Sequence, residues 1–350
     1  MAKVRLKDVA AVAGVSQGTA SNVFNRPETV TPELRTLVLD AAARLGYTGP
    51  QPVARMLRSG KVGLVALLTD ESAADVISDA YGRRLLAGAA RACDAAGIGL
   101  TIVGDAAKGE TRSGWSVETA LADGFVLYCF AEDEIFERVR RRNLPFVGID
   151  GGRRAGVVSV GIDDEVAAAE AMKTLTGVGH RRIGILSMEL SGEGGGGPVD
   201  PDEQFSATYE TTQLRLKGYR REAAAVGLEP QDLPTFQTFK DEASVANGVA
   251  WLMDRPEPPT AIAAMSDVIA MIAVSQLKAR GYGVPDDVSV VGFDGVPEGA
   301  YLDPPLTTVA QPAEEKGEAA VEILLGTRVS QNLVLPAKVI SRRSVAPKGR

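Results

Sequence analysis

Apolar residues recur at helical spacing three times within the first 46 residues. Leu6, Val9, Ala10 and Ala13 form the first stripe, and Gly14 after it can adopt the left-handed conformation that ends a helix. The two stripes that follow begin at helix-start signals and end before Gly46, another helix-ending glycine. Three short helices within about 45 residues predict a small helical domain, whose first two helices form a helix-turn-helix.

The start signals of the second and third helices are specific. Ser16 precedes the second stripe and is a residue type that caps helix N-termini. Thr31 has the same position before the third, and Pro32 follows it at the first helical position, where proline is favoured. The turn between the first two helices is therefore confined to residues 14–16.

From residue 62 onward, apolar runs typical of buried strands alternate with helical segments. The runs lie at residues 62–68, 100–103, 124–128, 146–149, 183–186, 261–264 and 288–293. Alternating strand and helix predicts parallel sheets covered by helices on both faces. The number of strands favours two doubly wound subdomains over one sheet, and 350 residues are enough for both and the helical domain.

Composition indicates a globular protein outside the membrane. Hydrophobic residues make up 45% of the chain and charged residues 24%, and no run approaches the ~18 apolar residues of a membrane span. The first ten residues lack the basic-then-apolar order of a signal peptide. We therefore expect a cytoplasmic protein.

The net charge of −7 conceals an asymmetry between the two parts of the chain. Residues 1–61 carry nine of the 38 Lys and Arg residues and only four of the 45 Asp and Glu residues. The remaining chain therefore has 29 basic and 41 acidic residues and repels phosphate. Any nucleic acid is expected to contact the N-terminal segment.

Little in the sequence points to catalysis. His180 is the only histidine, and Cys93 and Cys129 are isolated, so a zinc site or a catalytic triad lacks residues. Residues 14–18 match the GxSxG pattern without the strand it requires, and residues 192–197 match GxGxxG where prolines follow instead of a helix. We predict no catalytic residue, no metal and no cofactor, and a structural role for His180.

Four stretches of the N-terminal segment carry a family resemblance: Leu6–Ala10, Ala13–Ser16, Thr19–Asn25 and Val38–Tyr47. They resemble the DNA-binding headpiece of the LacI/GalR family of bacterial transcriptional regulators, which implies a DNA-binding domain over residues 1–49. The second helix then enters the major groove, and Gln17, Gly18 and Asn22 match the base-reading positions. The other contacts implied are Lys7, Ser16, Thr19, Ser21, Asn25, Thr31 and Tyr47.

Asn22 departs from the family pattern, which has a basic residue at this position in most members. A side-chain amide pairs with adenine through two hydrogen bonds, whereas arginine or lysine pairs with guanine. Gly18 offers no group to a base edge. We therefore expect an operator that differs from the consensus of the family.

Residues 50–61 resemble the family's hinge. Residues 53–59 can form about two helical turns, which is too short to be stable alone. The resemblance implies that two subunits pair their hinges in the minor groove of a palindromic operator, where Leu57 inserts between base pairs. Ala54, Arg55 and Arg58 are the accompanying DNA contacts.

The rest of the chain, residues 62–350, resembles the family's effector-binding core, which is related to periplasmic sugar-binding proteins. The signatures lie at residues 179–183, 215–219, 284–294 and 301–312. The fold class implied is α/β, with the helix-turn-helix domain followed by a periplasmic-binding-protein-like core of two doubly wound parallel-sheet subdomains. The first subdomain should contain residues 62–161 and 311–326, and the second residues 162–310 and 327–350, with one final strand from Asn332 to Arg343.

The resemblance also implies which residues line the effector cleft between the subdomains. They are Asp70, Tyr81, Tyr128, Asp163, Arg215, Phe239, Ser266, Asp267, Asp294 and Gln311. Carboxylates, a guanidinium and an aromatic face suit a polyhydroxylated ligand. An aspartate after a strand can instead cap a helix, an alternative that stays open for Asp70 and Asp163. Ser266 replaces the asparagine common in the family.

The function expected is a sequence-specific transcriptional regulator, a repressor whose operator affinity is controlled by a sugar, nucleoside or similar effector. It should act as a homodimer at the nucleoid, because no apolar heptads follow the final strand to build a tetramer. The alternatives are a sugar-metabolising α/β enzyme with an accessory helical domain and a transport protein. The sequence leaves open whether the effector induces or co-represses, and whether the glycine-rich segment within residues 191–213 is a lid or a surface loop.

Overall fold

The computed structural model describes residues 4–49, 60–104, 116–128, 130, 134–150, 154, 156–190, 196–202 and 207–348. Within them the chain separates into two compact units, Met1–Gly63 and Leu64–Arg350. The predicted hinge segment, residues 53–59, lies outside the described residues, and so does most of the glycine-rich segment that follows residue 190.

The N-terminal unit consists of three helices, α1 (Leu6–Val12), α2 (Gln17–Asn25) and α3 (Pro32–Leu45). Ser16 caps α2, since its Oγ accepts a hydrogen bond of 3.0 Å from the backbone N–H of Thr19. Gly46 ends α3 in the left-handed conformation with φ of 69°. The apolar stripes of the three helices meet in one small core. The helix-turn-helix prediction is confirmed.

The second unit alternates strands and helices along the chain. Its strands are β1 (Leu64–Thr69), β2 (Gly99–Gly104), β3 (Gly124–Tyr128), β4 (Phe146–Ile149), β5 (Ser159–Gly161), β6 (Ile183–Ser187), β7 (Gly197–Val199), β8 (Thr235–Gln237), β9 (Ala261–Ala264), β10 (Ser289–Asp294), β11 (Thr307–Ala310), β12 (Leu333–Val334) and β13 (Lys338–Ile340). Its helices are α4 (Ala73–Ser78), α5 (Ala80–Ala96), α6 (Glu134–Arg141), α7 (Asp164–Thr176), α8 (Glu210–Ala225), α9 (Glu242–Met253), α10 (Asp267–Ala279) and α11 (Ala313–Leu324).

The strands form two sheets, and each sheet belongs to one subdomain. The first has the order β12-β5-β4-β3-β1-β2, and the second has the order β13-β11-β10-β9-β6-β8-β7. All pairs are parallel except β11 with β13 and β7 with β8, which lie at the edges of the second sheet. Helices cover both faces, so strand residues are buried on both sides and appear in the sequence as continuous apolar runs. The predicted fold class is confirmed.

The C-terminal segment differs from the expected course. Leu333 pairs with Val160 in the first sheet, whereas Val339 pairs with Val309 in the second. The single strand expected from Asn332 to Arg343 is therefore two strands in different sheets. The third crossing between the subdomains lies between Val334 and Lys338 rather than near residue 326, because Pro336 and its neighbours interrupt the strand at the crossing.

His180 anchors the C-terminal segment from inside the second subdomain. Its imidazole Nε2 lies 3.0 Å from the carbonyl oxygen of Ala346, and its Nδ1 lies 2.8 Å from Thr260 Oγ1. Burial lowers the pKa of this imidazole and keeps the ring neutral. Its partners are structural groups, and no described residue forms a cluster that could hold a metal ion with it.

Two glycines allow α5 and α11 to pack backbone to backbone. A Cβ atom on Gly88 would overlap the carbonyl oxygen of Glu314, and one on Gly317 would overlap the carbonyl oxygen of Leu85. No side chain can move to relieve either overlap, because both partners are helix backbone. The close approach of the two helices therefore depends on glycine at both positions.

We predict that Gly317→Ala lowers the free energy of unfolding of the core by about 1–3 kcal/mol, because the two helices must separate to admit the methyl group. Gly299→Ala is the matched control, since its methyl group would meet Leu306 carbons at 3.5 Å and Arg342 Nη1 at 3.9 Å, which are ordinary van der Waals distances. That control should change stability by no more than about 0.5 kcal/mol. Urea unfolding measures both, and equal effects would contradict the packing argument.

Candidate DNA-reading surface and effector cavity

The N-terminal unit exposes the side of α2 opposite its core. Ala20 and Val23 are buried, whereas Gln17, Gly18 and Asn22 are exposed. Among the described residues, no hydrogen-bond partner is found for the side chains of Gln17 and Asn22. Two amide groups on one helix are thus presented to solvent, as base reading requires.

The other predicted DNA contacts in this unit divide into two groups. Lys7 and Thr31 are exposed, and Tyr47 is half-buried with its ring packed edge-on against Phe24 at 5.5 Å between centroids. Ser16, Thr19, Ser21 and Asn25 have side chains bonded within α2 or at its cap. Ala54, Arg55, Leu57 and Arg58 lie outside the described residues, so their predicted role stays a prediction.

A cavity of about 460 Å³ lies between the two subdomains of the core. Most of its lining follows the carboxyl ends of strands β1, β6 and β8, the edge at which ligands bind in parallel α/β folds. The lining consists of Asp70, Glu71, Asp75, Ser78 and Asp79 from the first subdomain, and of Met188, Glu189, Tyr209, Thr211, Thr212, Thr238, Phe239, Lys240, Asp241 and Val268 from the second.

Two contacts join the subdomains across this cavity. The hydroxyl of Tyr209 donates to Asp70 Oδ2 at 2.9 Å, and the ammonium of Lys240 lies 3.0 Å from Glu71 Oε1. Asp70 and Glu71 directly follow β1, while their partners belong to the second subdomain. The cavity is therefore held closed by side chains at its own edge.

Asp70 has an unusual electrostatic environment. Burial raises its pKa to about 7, and the negative charges of Glu71 and Glu189 act in the same direction. The hydrogen bond from Tyr209 opposes the shift but is the weaker effect. Near neutral pH this carboxyl group is thus poised between its protonated and charged forms.

Beside the cavity, a buried polar network links the first subdomain to the second. Lys316 on α11 is 0% exposed, and its Nζ lies 2.6 Å from Asp150 Oδ1, 2.7 Å from Gln311 Oε1 and 2.9 Å from Tyr81 Oη. Gln311 in turn donates from Nε2 to Asp294 Oδ1 at 2.7 Å. Gln311 follows β11 at the second chain crossing and bridges the two subdomains.

Arg215 on α8 continues this network in the second subdomain. Its Nε donates to Asp164 Oδ1 at 2.9 Å, its Nη1 donates to the carbonyl of Met265 at 2.5 Å, and Asp294 Oδ1 lies 3.8 Å away. The guanidinium carbon stands 3.8 Å from the centre of the Phe293 ring. The group that was expected to bind ligand hydroxyls is thus engaged within the protein.

Burial has the largest effect on the pKa values of the carboxylates Asp294 and Asp164 in this network. Burial raises the pKa of Asp294 to about 8, although the positive charge of Arg215 opposes the shift. The pKa of Asp164 is also raised by burial against the same opposing charge. The network therefore holds protons that an unfolded chain would release.

Three further predicted effector residues hold the backbone. Asp163 Oδ1 accepts from Val166 N at 3.0 Å and caps α7, and Ser266 Oγ accepts from Ile269 N at 3.2 Å and caps α10. Asp267 is fully buried and accepts from Thr308 Oγ1 at 2.6 Å. The helix-capping alternative for Asp163 describes its position in this structure.

The ten predicted effector residues thus do not line a single cavity. Asp70 and Phe239 line the cavity, while Tyr81, Arg215, Asp294 and Gln311 meet in the buried network. Tyr128 packs against Tyr81 with 6.4 Å between ring centroids. Ligand contact by these residues stays a proposal.

Sequence reasoning missed Lys316, Asp150, Tyr209 and Lys240. Asp150 directly follows a strand, as Asp70 does, so its position at a strand end is a signal that could have identified it. Lys316 has glutamates on both sides in the sequence, a pattern typical of a solvated helix face. Nothing in the sequence therefore indicated that Lys316 is buried. Tyr209 and Lys240 lie in loops that no periodicity describes.

Comparison with known proteins agrees with both units. Residues 5–49 match the model of bacterial regulatory proteins of the lacI family, and residues 172–345 match the periplasmic binding protein-like domain. The HTH-type transcriptional regulator Rv3575c of Mycobacterium tuberculosis is 37% identical over 327 residues, which cover 92% of this chain and 90% of that protein.

Solved structures show the same architecture over the whole chain. The regulator CelR in complex with cellobiose has a TM-score of 0.66 at 25% identity and covers 98% of this chain and 100% of its own. The lac repressor dimer bound to operator and the anti-inducer ONPF has a TM-score of 0.77 at 24% identity, with 99% and 100% coverage.

The fold and the exposed reading helix define a DNA-binding regulator with a periplasmic-binding-protein-like core. The chain belongs to the lacI family of bacterial transcriptional regulators. It is a regulator rather than an enzyme, so the enzyme alternative is set aside. Among the described residues, no helix has the length and apolar character to cross a membrane.

We predict that Asp294→Asn flattens the pH dependence of core stability between about pH 4 and pH 8. The folded pKa of Asp294 is raised, so its contribution to stability is full below the unfolded pKa of 3.8 and is lost as pH rises through about 8. Asparagine keeps the acceptor for Gln311 but cannot ionise. Urea unfolding at several pH values compares the two proteins, and parallel pH profiles would contradict the assignment.

Proposed function

We propose that this regulator is a repressor whose affinity for operator DNA is controlled by a small polyhydroxylated effector bound in the cavity between the core subdomains. The single observation that carries the proposal is the cavity itself. Its walls come from two separate subdomains, and Tyr209–Asp70 and Lys240–Glu71 are contacts that join them at its edge. A ligand there contacts both subdomains and can change their arrangement.

The DNA-binding part of the proposal rests on α2. Gln17 and Asn22 present amide groups that suit adenine, and the N-terminal segment has the basic excess that phosphates require. The lac repressor, which shares this fold, has been solved on operator DNA. We infer that α2 enters the major groove and that Lys7 contacts the backbone.

The effector part rests on the chemistry of the lining. Ser78, Thr211, Thr212 and Thr238 supply hydroxyl groups, and Phe239 is 37% exposed and offers an apolar face to a ring. CelR, a relative with the same architecture, has been solved with cellobiose. A sugar or a sugar-like metabolite such as a nucleoside fits these groups.

An effector controls DNA binding only through its different affinity for two arrangements of the protein. We infer that the change reaches DNA through residues 53–59, where Leu57 inserts between base pairs when two hinges lie side by side. An inducer separates the hinges, whereas a co-repressor keeps them together. Either outcome is consistent with effector control. Measuring operator binding with and without the ligand shows whether the effector weakens or strengthens it.

We further infer that the chain acts as a homodimer on a palindromic site. Tyr301 is 89% exposed, and tyrosine is one of the residue types enriched among the residues that anchor protein interfaces. Light scattering should give a mass near twice 36.7 kDa. Tyr301→Asp should shift the protein toward monomer, whereas Tyr282→Asp, which changes a partly buried tyrosine of the same subdomain, reports nonspecific loss of folding. A monomeric wild-type protein would contradict the inference.

Fluorescence anisotropy with DNA flanking the protein's own gene tests the proposed function. We expect saturable binding that weakens at high salt, and an effector from a panel of sugars and nucleosides should change the affinity at least fivefold. Absence of sequence-specific binding, or an affinity that no panel member alters, would contradict the proposal.

Asn22→Ala should relax the preference at one base-pair position by about 1–3 kcal/mol, because one bidentate contact is lost. Lys7→Ala is the matched comparison and should weaken binding to all operator variants alike, with a salt slope lower by about one. Binding of a library of operator variants measures both. Equal loss on every variant with Asn22→Ala would show that Asn22 does not read a base.

A further inference from the structure

We propose that the effector carries a protonated amine beside its hydroxyl groups and that this ammonium binds Asp70. The inference rests on the proposed function, since it assigns a charge to the ligand of the same cavity. Three observations carry it: the charge of the cavity lining, the absence of a cation on Asp70 and the groups available for the rest of the ligand.

The lining is strongly acidic. Six carboxylates face the cavity, namely Asp70, Glu71, Asp75, Asp79, Glu189 and Asp241, and the described lining contains one basic side chain, Lys240. Lys240 is paired with Glu71 at 3.0 Å. The cavity therefore has a negative potential, which attracts cations and repels anions.

Neutral donors hold two of these carboxylates in place. Asp79 accepts from Gly82 N at 2.8 Å, and Asp241 accepts from Ser244 N at 2.9 Å, so each caps a helix. These hydrogen bonds lower the pKa of Asp241 and keep it ionised. The donors that orient Asp79 and Asp241 thus bring no positive charge into the cavity.

The surroundings of Asp70 favour the approach of a positively charged group. The groups facing it are Glu71 on its own segment, Tyr209 at the start of α8 and Glu189 after β6, which are acidic or neutral. Among the described residues, no basic side chain pairs with Asp70. Burial and like charge raise its pKa to about 7, and a ligand ammonium would offset both effects and return the carboxyl to its charged form.

The remaining lining suits the uncharged part of such a ligand. Thr211, Thr212 and Thr238 each donate their hydroxyl hydrogen to a backbone carbonyl, so their lone pairs accept from ligand hydroxyls. Phe239 is available to cover a ring. A phosphate or carboxylate on the ligand would lie beside several acidic side chains, and the one basic side chain of the described lining, Lys240, is paired with Glu71, so like-charge repulsion disfavours an anion there.

Isothermal titration with matched probes tests the charge assignment. The probes are glucosamine, glucose, glucuronate and glucose 6-phosphate, with the corresponding galactose and mannose compounds. We expect an amine-bearing member of at least one series to bind tenfold or more tightly than its neutral parent, and the anionic members not to bind. Equal affinity for the amine and the parent, tighter binding of an anion, or no binding by any amine would overturn the proposal.

Proton release provides a second readout on the unmodified protein. Because an ammonium lowers the pKa of Asp70, binding near pH 7 should release part of a proton from Asp70, measured in buffers of different ionisation enthalpy and corrected for any proton that the amine takes up when it binds as an ammonium. Asp70→Asn should abolish this release and the preference for amines. Asp94→Asn removes the same charge from an exposed position on α5 and should preserve both. Unchanged amine preference in Asp70→Asn would overturn the assignment.

The two proposals fail in different ways. If a neutral sugar binds and alters operator affinity while amines show no advantage, effector control stands and the charge assignment is wrong. If no probe of any charge alters operator affinity while amines still bind preferentially, the charge assignment stands and the control of DNA binding by this cavity is wrong.

Discussion

The core depends on burying charged side chains where its two subdomains join. Lys316 and Arg215 are almost fully buried, and Lys316 is paired with Asp150 in the first subdomain while Arg215 is paired with Asp164 in the second. A buried charge that loses its partner costs about 3–5 kcal/mol, so each half of the network must keep its own ion pair intact. Gln311 joins the halves by accepting from Lys316 and donating to Asp294. The relative position of the subdomains is thus fixed by polar contacts with strict geometry.

This constraint explains how a ligand in the neighbouring cavity can have a long-range effect. Thr211 lines the cavity and also donates to the backbone carbonyl of Asp150, which holds Lys316. A packed polar network has few alternative arrangements, so a ligand that moves one wall favours one arrangement of the whole junction over another. A mobile apolar junction would absorb the same displacement. In the proposed function, the first subdomain follows the hinge segment directly in sequence, so its arrangement is the one through which an effector would act on DNA binding.

The sequence predicted the elements better than the contacts between them. Helical spacing and buried apolar runs give both sheets and the three-helix unit, because periodicity is a local property. Periodicity did not distinguish β12 from β13, because strands of two and three residues are too short to show a regular pattern of apolar and polar residues. Arg215 and Asp294 were selected as effector contacts through the family resemblance, but which charges lie within reach of them depends on tertiary distances. Lys316 was missed because its glutamate neighbours resemble a solvated face. Asp70 and Phe239, at the ends of strands, were placed at the cavity because strand ends follow from the topology.

A double-mutant cycle on Lys316 and Asp150 tests most directly whether the buried charges at the junction depend on one another. Lys316→Met, Asp150→Asn and the double variant are compared by urea unfolding of the full chain. Each single variant leaves a buried charge without its partner, so we predict that each loses several kcal/mol of stability, and that the double variant loses less than the sum by more than about 1 kcal/mol. Additive losses, within about 0.5 kcal/mol, would show that the two side chains act independently and would contradict the account.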